Sequence, residues 1–147
     1  MPRSSRAAIA ALAATTVNAA SLADLCTVEN VQAALPINGT LLGLNLLPST
    51  VTASPVYNAT AGMGSTETYS YCNVTVSFTH TGKGDIIPLK YAFPQPSEFK
   101  NRFYLAGGGG FSLSSDATGG LAYGAASGAT SAGYDAFKHS PMWHLAS

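Results

Sequence analysis

Charge is scarce in this chain. Acidic and basic side chains make up only 10% of its 147 residues, and seven of each sign leave a formal net charge of zero at pH 7. No run of lysine or arginine provides the basic surface that binds nucleic acid phosphates or anionic lipid headgroups. We therefore expect neither nucleic acid nor a membrane among its partners. The 46% hydrophobic content instead indicates one modest folded domain.

Known catalytic motifs are missing as well. The sequence has no G-x-S-x-G nucleophile elbow, and none of its glycine runs ends in the Gly-Lys-Ser/Thr of a phosphate-binding loop. A catalytic serine nucleophile needs a base within hydrogen-bond distance and a third group that orients the base. The histidines, His80, His139 and His144, lie in a predicted hairpin turn and near the chain end. We therefore assign no catalytic triad residue to this chain.

The first 20 residues have the pattern of a secretory signal peptide. Arg3 and Arg6 give a positive start, residues 7–17 are apolar, and small residues follow. The apolar run is shorter than the roughly 20 residues that span a bilayer, and a buried alanine-rich helix is the alternative. Three N-glycosylation sequons agree with a secreted, extracellular chain, and they begin at Asn38, Asn58 and Asn73.

Cysteine is limited to Cys26 and Cys72. In a secreted chain two thiols favour a disulfide, which here closes a long loop and stabilises the fold by about 4 kcal/mol. A metal-binding or catalytic cysteine is the alternative, but no histidine or further cysteine stands at ligand spacing. We therefore expect a disulfide and no metal site.

Hydrophobic periodicity predicts a short helix and then a hairpin. Thr27 is placed to cap a helix that Pro36 stops. Residues 71–79 alternate as a half-buried strand does, and residues 87–93 repeat the pattern after a turn at residues 80–85. The predicted buried face consists of Cys72, Val74, Val76 and Phe78 on the first strand and Ile87, Leu89, Tyr91 and Phe93 on the second.

In two segments the hydrophobic pattern does not clearly predict secondary structure. Residues 41–60 contain two prolines and no clean period, which predicts an extended loop with a short strand near residues 50–53. Residues 119–133 are so rich in glycine, alanine and serine that helix and strand cannot be distinguished.

A run of four glycines is the most informative motif. A short strand at residues 102–106 leads directly into Gly107, Gly108, Gly109 and Gly110. Backbone without Cβ atoms lets a substrate approach closely and can present successive N–H groups to one oxygen, as an oxyanion hole does. A flexible turn or linker is the alternative. The motif therefore suggests acyl transfer without establishing it.

Four motifs, taken in their order along the chain, resemble those of a known protein family. They are Tyr71-Cys72-Asn73-Val74, Phe99-Lys100-Asn101-Arg102-Phe103, the four glycines, and the segment from Gly120 to Gly128. Between residues 25 and 137 the chain resembles the N-terminal part of fungal tannases and feruloyl esterases. The resemblance implies a secreted, disulfide-linked, glycosylated serine esterase that cleaves phenolic-acid esters. It also implies an α/β fold: part of an α/β-hydrolase-like sheet, β-rich, with a short N-terminal helix.

The same comparison shows what this chain lacks. The family's nucleophile lies in a Cys-Ser-x-Gly-Gly elbow, with the aspartate and histidine later, and none of these motifs is present. Ser131 stands where the family tends to carry an aspartate, and residues 138–147 form an atypical tail after the catalytic-domain segment 21–137. The resemblance associates calcium with the lid of full-length relatives and implies no cofactor for this chain. We therefore expect an inactive chain whose substrate, a phenolic-acid ester, requires a missing C-terminal part.

Two alternatives stay open. One is a small secreted, glycosylated binding module, in which aromatic rings stack on a carbohydrate or phenolic ligand without catalysis. Its ring residues are Tyr69, Tyr71, Tyr91 and Tyr104. The other is a non-functional gene product whose open sheet edges aggregate. The oligomeric state does not follow from the sequence.

Overall fold

The fold is a single mixed β-sheet with short helices on its two faces. A computed structural model describes residues 20–61, 66–108, 116–130 and 132. The strands are β1 (Leu44–Thr60), β2 (Thr68–His80), β3 (Ile87–Pro94), β4 (Arg102–Leu105) and β5 (Ala125–Thr130), in the order β1-β2-β3-β5-β4. Neighbouring strands are antiparallel except β4 and β5, which run parallel. The signal segment, apart from Ala20, and the tail lie outside the described residues.

Two short helices precede the sheet, and both begin at a capping side chain. Helix α1 (Leu22–Leu25) starts at a capping box in which Ser21 and Asp24 bond each other's backbone. Helix α2 (Val28–Ala34) starts at Thr27, whose side chain accepts a hydrogen bond from the N–H of Asn30 at 3.2 Å. Each cap satisfies N–H groups that have no partner inside the helix. The predicted N-terminal helix and its Thr27 cap are therefore confirmed.

The first strand is the main departure from the sequence prediction. Residues 44–60 form a 17-residue strand rather than a loop. Pro48 and Pro55 suggested a loop because proline cannot donate to a ladder, but β1 is an edge strand, where that donor is dispensable. Its register against β2 shifts between Leu47 and Thr52 and again between Val56 and Ala59. These irregularities break the period of two that a strand prediction needs.

Strands β2 and β3 form the predicted hairpin, with two corrections. Cys72, Val74 and Val76 are buried on one face as expected. Phe93, however, is 39% exposed, whereas Ala92 on the opposite face is 1% exposed. Both faces of β3 are partly covered, so its buried residues do not all lie on one face of the strand.

Ser77 departs from the predicted outward face in the same way. Its side chain is buried, and its N–H donates to Thr50 Oγ1 at 2.8 Å. Thr50 belongs to the irregular part of β1, which the sequence analysis did not recognise as a long strand.

The segment that the sequence left undecided, residues 119–133, contains most of a 3-10 helix and then strand β5. A 3-10 helix (Thr118–Tyr123) lies against the sheet, and Gly124 turns the chain into β5 with φ +64°. The N–H of Gly120 donates to Ser127 Oγ at 3.1 Å, and the Ser127 side chain is completely buried. This bond holds the 3-10 helix to β5.

Two small cores lie on opposite faces of the sheet. One joins α1 to β2 through Leu22, Val74 and the Cys26–Cys72 disulfide, whose cysteines are 46 residues apart in sequence with Cα atoms 5.4 Å apart. The other packs alanines of β3 and β5 against Leu121 of the 3-10 helix. The predicted disulfide is therefore confirmed.

Candidate functional site

The glycine loop leaves the sheet at the carboxyl end of β4. The N–H of Ala106 donates to the carbonyl oxygen of Gly128 in β5 at 2.7 Å, and the exposed Gly107 and Gly108 follow at once. Because β4 and β5 are parallel, the carboxyl ends of both strands meet here. Ligands of open α/β sheets bind at this edge. Gly109 and Gly110 lie outside the described residues.

Packing against the described residues does not require glycine at the first position of the loop, Gly107. A Cβ added to Gly107 meets nothing within 4 Å, and its φ is not in the left-handed region. Neither a tight turn nor a close neighbour among the described residues therefore accounts for glycine at this position.

Hydroxyl groups on neighbouring β5 are already engaged. Ser127 Oγ accepts the Gly120 N–H, and Thr130 Oγ1 donates to the Pro88 carbonyl oxygen at 3.1 Å while accepting the N–H of Ala132 at 3.0 Å. Neither hydroxyl is hydrogen-bonded to His80, the histidine in the part of the chain that the structure describes. Within the described ranges, the site therefore contains no activated nucleophile.

One pair of titratable side chains, His80 and Asp85, was not predicted from the sequence. Asp85 Oδ2 lies 2.5 Å from His80 Nδ1, and Asp85 Oδ1 accepts the His80 N–H at 2.9 Å and the Thr79 hydroxyl at 3.1 Å. Two hydrogen bonds from His80 lower the pKa of Asp85 to about 2. The bond from the His80 side chain has the larger effect, and the bond from the His80 backbone N–H has the smaller one. The two residues are the first and the last of the predicted turn, but their spacing of five residues does not by itself predict a contact.

The His80–Asp85 pair has the arrangement of a base and its orienting carboxylate, but no hydroxyl is bonded to the imidazole. Phe78 instead contacts the His80 ring edge-on, with centroids 5.4 Å apart. The pair closes the β2–β3 turn. His139 and His144 lie outside the described residues, and the described part of the chain holds no cluster of metal-binding side chains.

An apolar groove of about 490 Å³ opens between α2 and the sheet. Its walls include Val31 and Leu35 from the helix side and Leu89, Tyr91 and Phe93 from β3. The rings of Tyr91 and Phe93 are stacked with centroids 5.7 Å apart, and burial raises the pKa of Tyr91. The groove has the size of a small-molecule site.

The four candidate tyrosines do not form one stacking surface. Tyr69 and Tyr71 pack against the alanine core. The pKa of Tyr71 is raised mainly by burial and to a lesser extent by the nearby charge of Asp116. Tyr91 lies in the groove on the opposite face. Tyr104 stacks on Tyr123, with centroids 6.4 Å apart. Of these four tyrosines, Tyr91 is the one that lines the groove described above.

The three sequon asparagines are all exposed. Asn38 lies in the turn before β1, Asn58 lies in β1 with φ +50°, and Asn73 lies on β2 opposite Ser54 and Ala92. Each side chain is therefore accessible in this structure. Among the described helices, none is long and apolar enough to cross a membrane.

Comparison with known proteins identifies the family. Residues 72–145 match the family model "Tannase and feruloyl esterase", so the match continues beyond Phe137. The chain is 71% identical over 140 residues to a tannase of Aspergillus oryzae (strain ATCC 42149 / RIB 40), covering 95% of this chain and 24% of that protein.

A solved structure agrees with this match. Tannin acyl hydrolase from Aspergillus niger superposes with a TM-score of 0.72 at 39% identity, over 80% of this chain and 22% of that one. The chain thus spans about a quarter of the length of these relatives, and the expected α/β-hydrolase-type, β-rich partial fold is confirmed. On the family match and this structural likeness, the chain belongs to the tannase and feruloyl esterase family.

Proposed function

We propose that this chain supplies the N-terminal part of a secreted serine esterase that hydrolyses esters of phenolic acids. The observation that carries the proposal is the position of the glycine loop at the carboxyl end of β4, beside the parallel strand β5. Membership of the family supports carboxylic ester hydrolysis, and the names of its relatives support a phenolic-acid substrate.

The chemistry assigned to this chain is stabilisation of negative charge. In the complete enzyme a serine outside this chain attacks the ester carbonyl, and a histidine takes the serine proton and returns it to the leaving alcohol. The carbonyl oxygen becomes an oxyanion, and the backbone N–H groups of Gly109 and Gly110 donate to it. Water then releases the acid from the acyl-enzyme by the reverse sequence of proton transfers. Loss of one such donor costs about 100- to 1,000-fold in kcat.

A chimera tests the role of the loop. The matching 140-residue segment of the Aspergillus oryzae tannase is replaced by this chain, and methyl gallate hydrolysis is measured. We expect the chimera to be active and Gly109→Pro or Gly110→Pro, which removes one N–H, to lower kcat about 100-fold or more. Gly107→Ala keeps its N–H and meets no neighbour within 4 Å, so it serves as the contrasting variant. Equal losses in all three variants would contradict the assignment of the donors.

Alone, the chain is proposed to lack turnover, because an oxyanion hole without a nucleophile leaves the covalent step undone. We assign it no cofactor, and the calcium associated with the lid of full-length relatives is assigned to none of its residues.

Secretion and glycosylation belong to the same proposal. A signal peptide at residues 1–20 directs the chain to the extracellular space, and the exposed Asn38, Asn58 and Asn73 accept glycans. Expression in a fungal secretory host tests both parts. We expect a secreted product that loses the mass of its glycans on endoglycosidase treatment, and loss of one glycan mass in each Asn→Gln variant.

The groove favours a second candidate function, binding of a phenolic ring without catalysis. Its volume and the stacked Tyr91–Phe93 pair suit one planar ring. Titration with gallate, followed by NMR, distinguishes the two candidates. Saturable shifts centred on Tyr91 and Phe93, lost in Phe93→Ala, favour a binding module, and their absence favours the esterase alone.

A further inference from the structure

One of the three sequon asparagines differs from the other two in the residue that follows it. Asn38 is followed by Gly39, and this is the one Asn-Gly pair in the sequence, whereas Asn58 and Asn73 are followed by alanine and valine. Asparagine is a thermolabile residue, because the backbone nitrogen of the next residue can attack its side-chain amide. A glycine at the next position leaves that nitrogen open, since it has no Cβ.

Asn38 and Gly39 are the two central residues of a tight turn. Thr40 closes the turn, since its N–H and its hydroxyl both donate to the Ile37 carbonyl oxygen, at 3.2 and 2.7 Å. Gly39 has φ +92° and the φ of Asn38 is negative, which is the pattern of a type II turn. Among the described residues, the Gly39 N–H has no hydrogen-bond acceptor. The nitrogen that attacks is therefore not held by a hydrogen bond.

Little packing opposes rotation of this turn. Both central residues are exposed, and a Cβ added to Gly39 meets nothing within 4 Å. Ring closure between the Gly39 nitrogen and the Asn38 side chain has to rotate the peptide between them. The contacts that resist this rotation are the two hydrogen bonds from Thr40 to the Ile37 carbonyl oxygen.

The other two sequon asparagines lie in strands. Asn73 lies in β2, which pairs with strands on both sides, and the next residue, Val74, is 1% exposed. Asn58 lies in β1, and its N–H donates to Ser70 Oγ at 3.3 Å. Ladder hydrogen bonds hold the backbone of both strands, and a β-branched valine shields the nitrogen that follows Asn73. These two residues therefore serve as internal controls.

We infer that Asn38 is a modification site, at which the unglycosylated chain deamidates through a cyclic imide formed with Gly39. The Gly39 nitrogen gives up its proton to hydroxide and bonds to the side-chain amide carbon of Asn38. The bond from this carbon to the amide nitrogen breaks, and that nitrogen takes a proton from water and leaves as ammonia. Water then opens the ring at either of its two carbonyl groups, which gives aspartate or isoaspartate. The product carries an additional negative charge.

Deamidation and glycosylation of Asn38 compete for one atom. An N-linked glycan is attached to the side-chain nitrogen of the sequon asparagine, and deamidation removes this nitrogen. A nitrogen that carries a sugar is also more crowded and departs less readily than ammonia. The two modifications therefore exclude each other. This consequence rests on the glycosylation proposed above, whereas the deamidation of the unglycosylated chain does not.

The full chain, purified with its disulfide intact from a host that adds no glycans, tests the reaction. It is incubated at about pH 6 and about pH 8, beside a synthetic peptide of residues 36–41 that defines the time needed. Peptide mapping by mass spectrometry, with enzymatic methylation of isoaspartate, locates the products. We expect deamidation at Asn38, about tenfold or more faster at the higher pH because the deprotonated nitrogen attacks, and intact Asn58 and Asn73. An intact Asn38 when the peptide has reacted, or equal rates at the three asparagines, overturns the inference.

Two glycine variants separate the attacking nitrogen from the general mobility of the loop. Gly39→Ala adds a Cβ beside that nitrogen. Gly43→Ala makes the same change in the next turn, where φ is also positive, at +75°, and where nothing lies within 4 Å of the added Cβ. We expect Gly39→Ala to slow deamidation of Asn38 about tenfold or more and Gly43→Ala to change it less than about twofold. Equal slowing in both variants, or none in Gly39→Ala, contradicts attack by the Gly39 nitrogen.

Two Thr40 variants test the competition with the glycan in a fungal secretory host. Thr40→Ala removes the sequon and keeps the Asn-Gly pair, whereas Thr40→Ser keeps both. The products are mapped after an endoglycosidase that leaves the first sugar on the asparagine. We expect a glycosylated Asn38 in the original chain and in Thr40→Ser, and a deamidated one in Thr40→Ala. An intact Asn38 amide in Thr40→Ala overturns the inference. Deamidation in an original chain that lacks this glycan supports the reaction and contradicts the proposed glycosylation instead.

Discussion

Gly120 gives the sharpest test of how the crossover between β4 and β5 is packed. A Cβ added at this position lies 2.6 Å from the Cβ of Tyr104, 2.8 Å from Ser127 Oγ and 3.0 Å from the Cβ of Ser127. The Ser127 side chain is completely buried and bonded to the Gly120 N–H, so it has no free space to move into. Gly120→Ala must therefore push the 3-10 helix away from both strands.

The expected size of this effect follows from the packing. Overpacking of a buried site costs about 1–3 kcal/mol, and distortion of the hydrogen bond to Ser127 adds about 1 kcal/mol. We expect Gly120→Ala to lower the free energy of unfolding by about 2–4 kcal/mol. With a urea m-value of about 2 kcal/mol/M, the midpoint of unfolding falls by about 1–2 M.

Gly119 is the matched control, since it is the preceding residue of the same 3-10 helix. Its added Cβ comes within 3.3 Å only of the Tyr104 ring, which is 38% exposed and has room to shift. We expect Gly119→Ala to change the free energy of unfolding by less than about 1 kcal/mol. Urea titrations followed by far-UV circular dichroism compare the two variants. Midpoints that agree within error would refute the proposed packing of Gly120 against Tyr104 and Ser127.

Three further predictions concern other parts of the fold. Replacing Cys26 and Cys72 together by serine is expected to lower the free energy of unfolding by about 4 kcal/mol, measured in urea under non-reducing conditions, and an unchanged midpoint contradicts the stabilising role of the disulfide. The pKa of Asp85 is lowered from 3.8 to about 2, so its contribution to stability is present above about pH 4 and is lost as the pH falls through 2. Asp85→Asn is expected to flatten the fall in stability between pH 4 and pH 2, and a slope equal to that of the original chain rejects the His80 contact. Gly124→Ala places a Cβ 2.6 Å from the Glu98 carbonyl oxygen at φ +64°, and we expect a loss of about 2 kcal/mol or more in the same urea assay, whereas a neutral effect contradicts the left-handed turn.

Capping residues and hydrophobic alternation were sufficient to predict the elements whose conformation depends on neighbouring residues in the sequence. Thr27 caps α2 because its hydroxyl reaches the N–H of Asn30, and Pro36 stands just beyond the end of the helix. Strands β2 and β3 were predicted because their residues alternate over a hairpin short enough to be recognised in sequence. In these segments neighbouring residues determine the conformation.

The conformation and burial of the other elements depend on contacts between residues that are distant in the sequence. Strand β1 was predicted as a loop because its prolines are tolerated only at a sheet edge, and the sequence does not reveal which strand lies at the edge. Strand β5 consists of alanine, serine, glycine and threonine, so its burial depends on close packing with Ala92 and Leu121 and not on a hydrophobic period. Phe93 was assigned to the core because alternation alone does not show how far α2 covers the sheet.

Of the candidate site, the structure tests the strand that leads into the glycine loop. Strand β4 (Arg102–Leu105) lies within the predicted strand 102–106, and Gly107 and Gly108 follow it. The His80–Asp85 contact was missed because a spacing of five residues has no fixed meaning until the turn is built. The roles of the Gly109 and Gly110 amides stay predictions.

The central proposal is that this chain contributes the oxyanion loop of an esterase whose nucleophile lies outside it. The most direct measurement is hydrolysis of methyl gallate and methyl ferulate by the purified chain, secreted with its Cys26–Cys72 disulfide formed and its fold checked by circular dichroism. We expect a folded protein with no release of acid above the uncatalysed rate. Turnover that rises in proportion to protein concentration and is abolished by a serine-directed phosphonate would contradict it, because such a result requires a nucleophile within this chain.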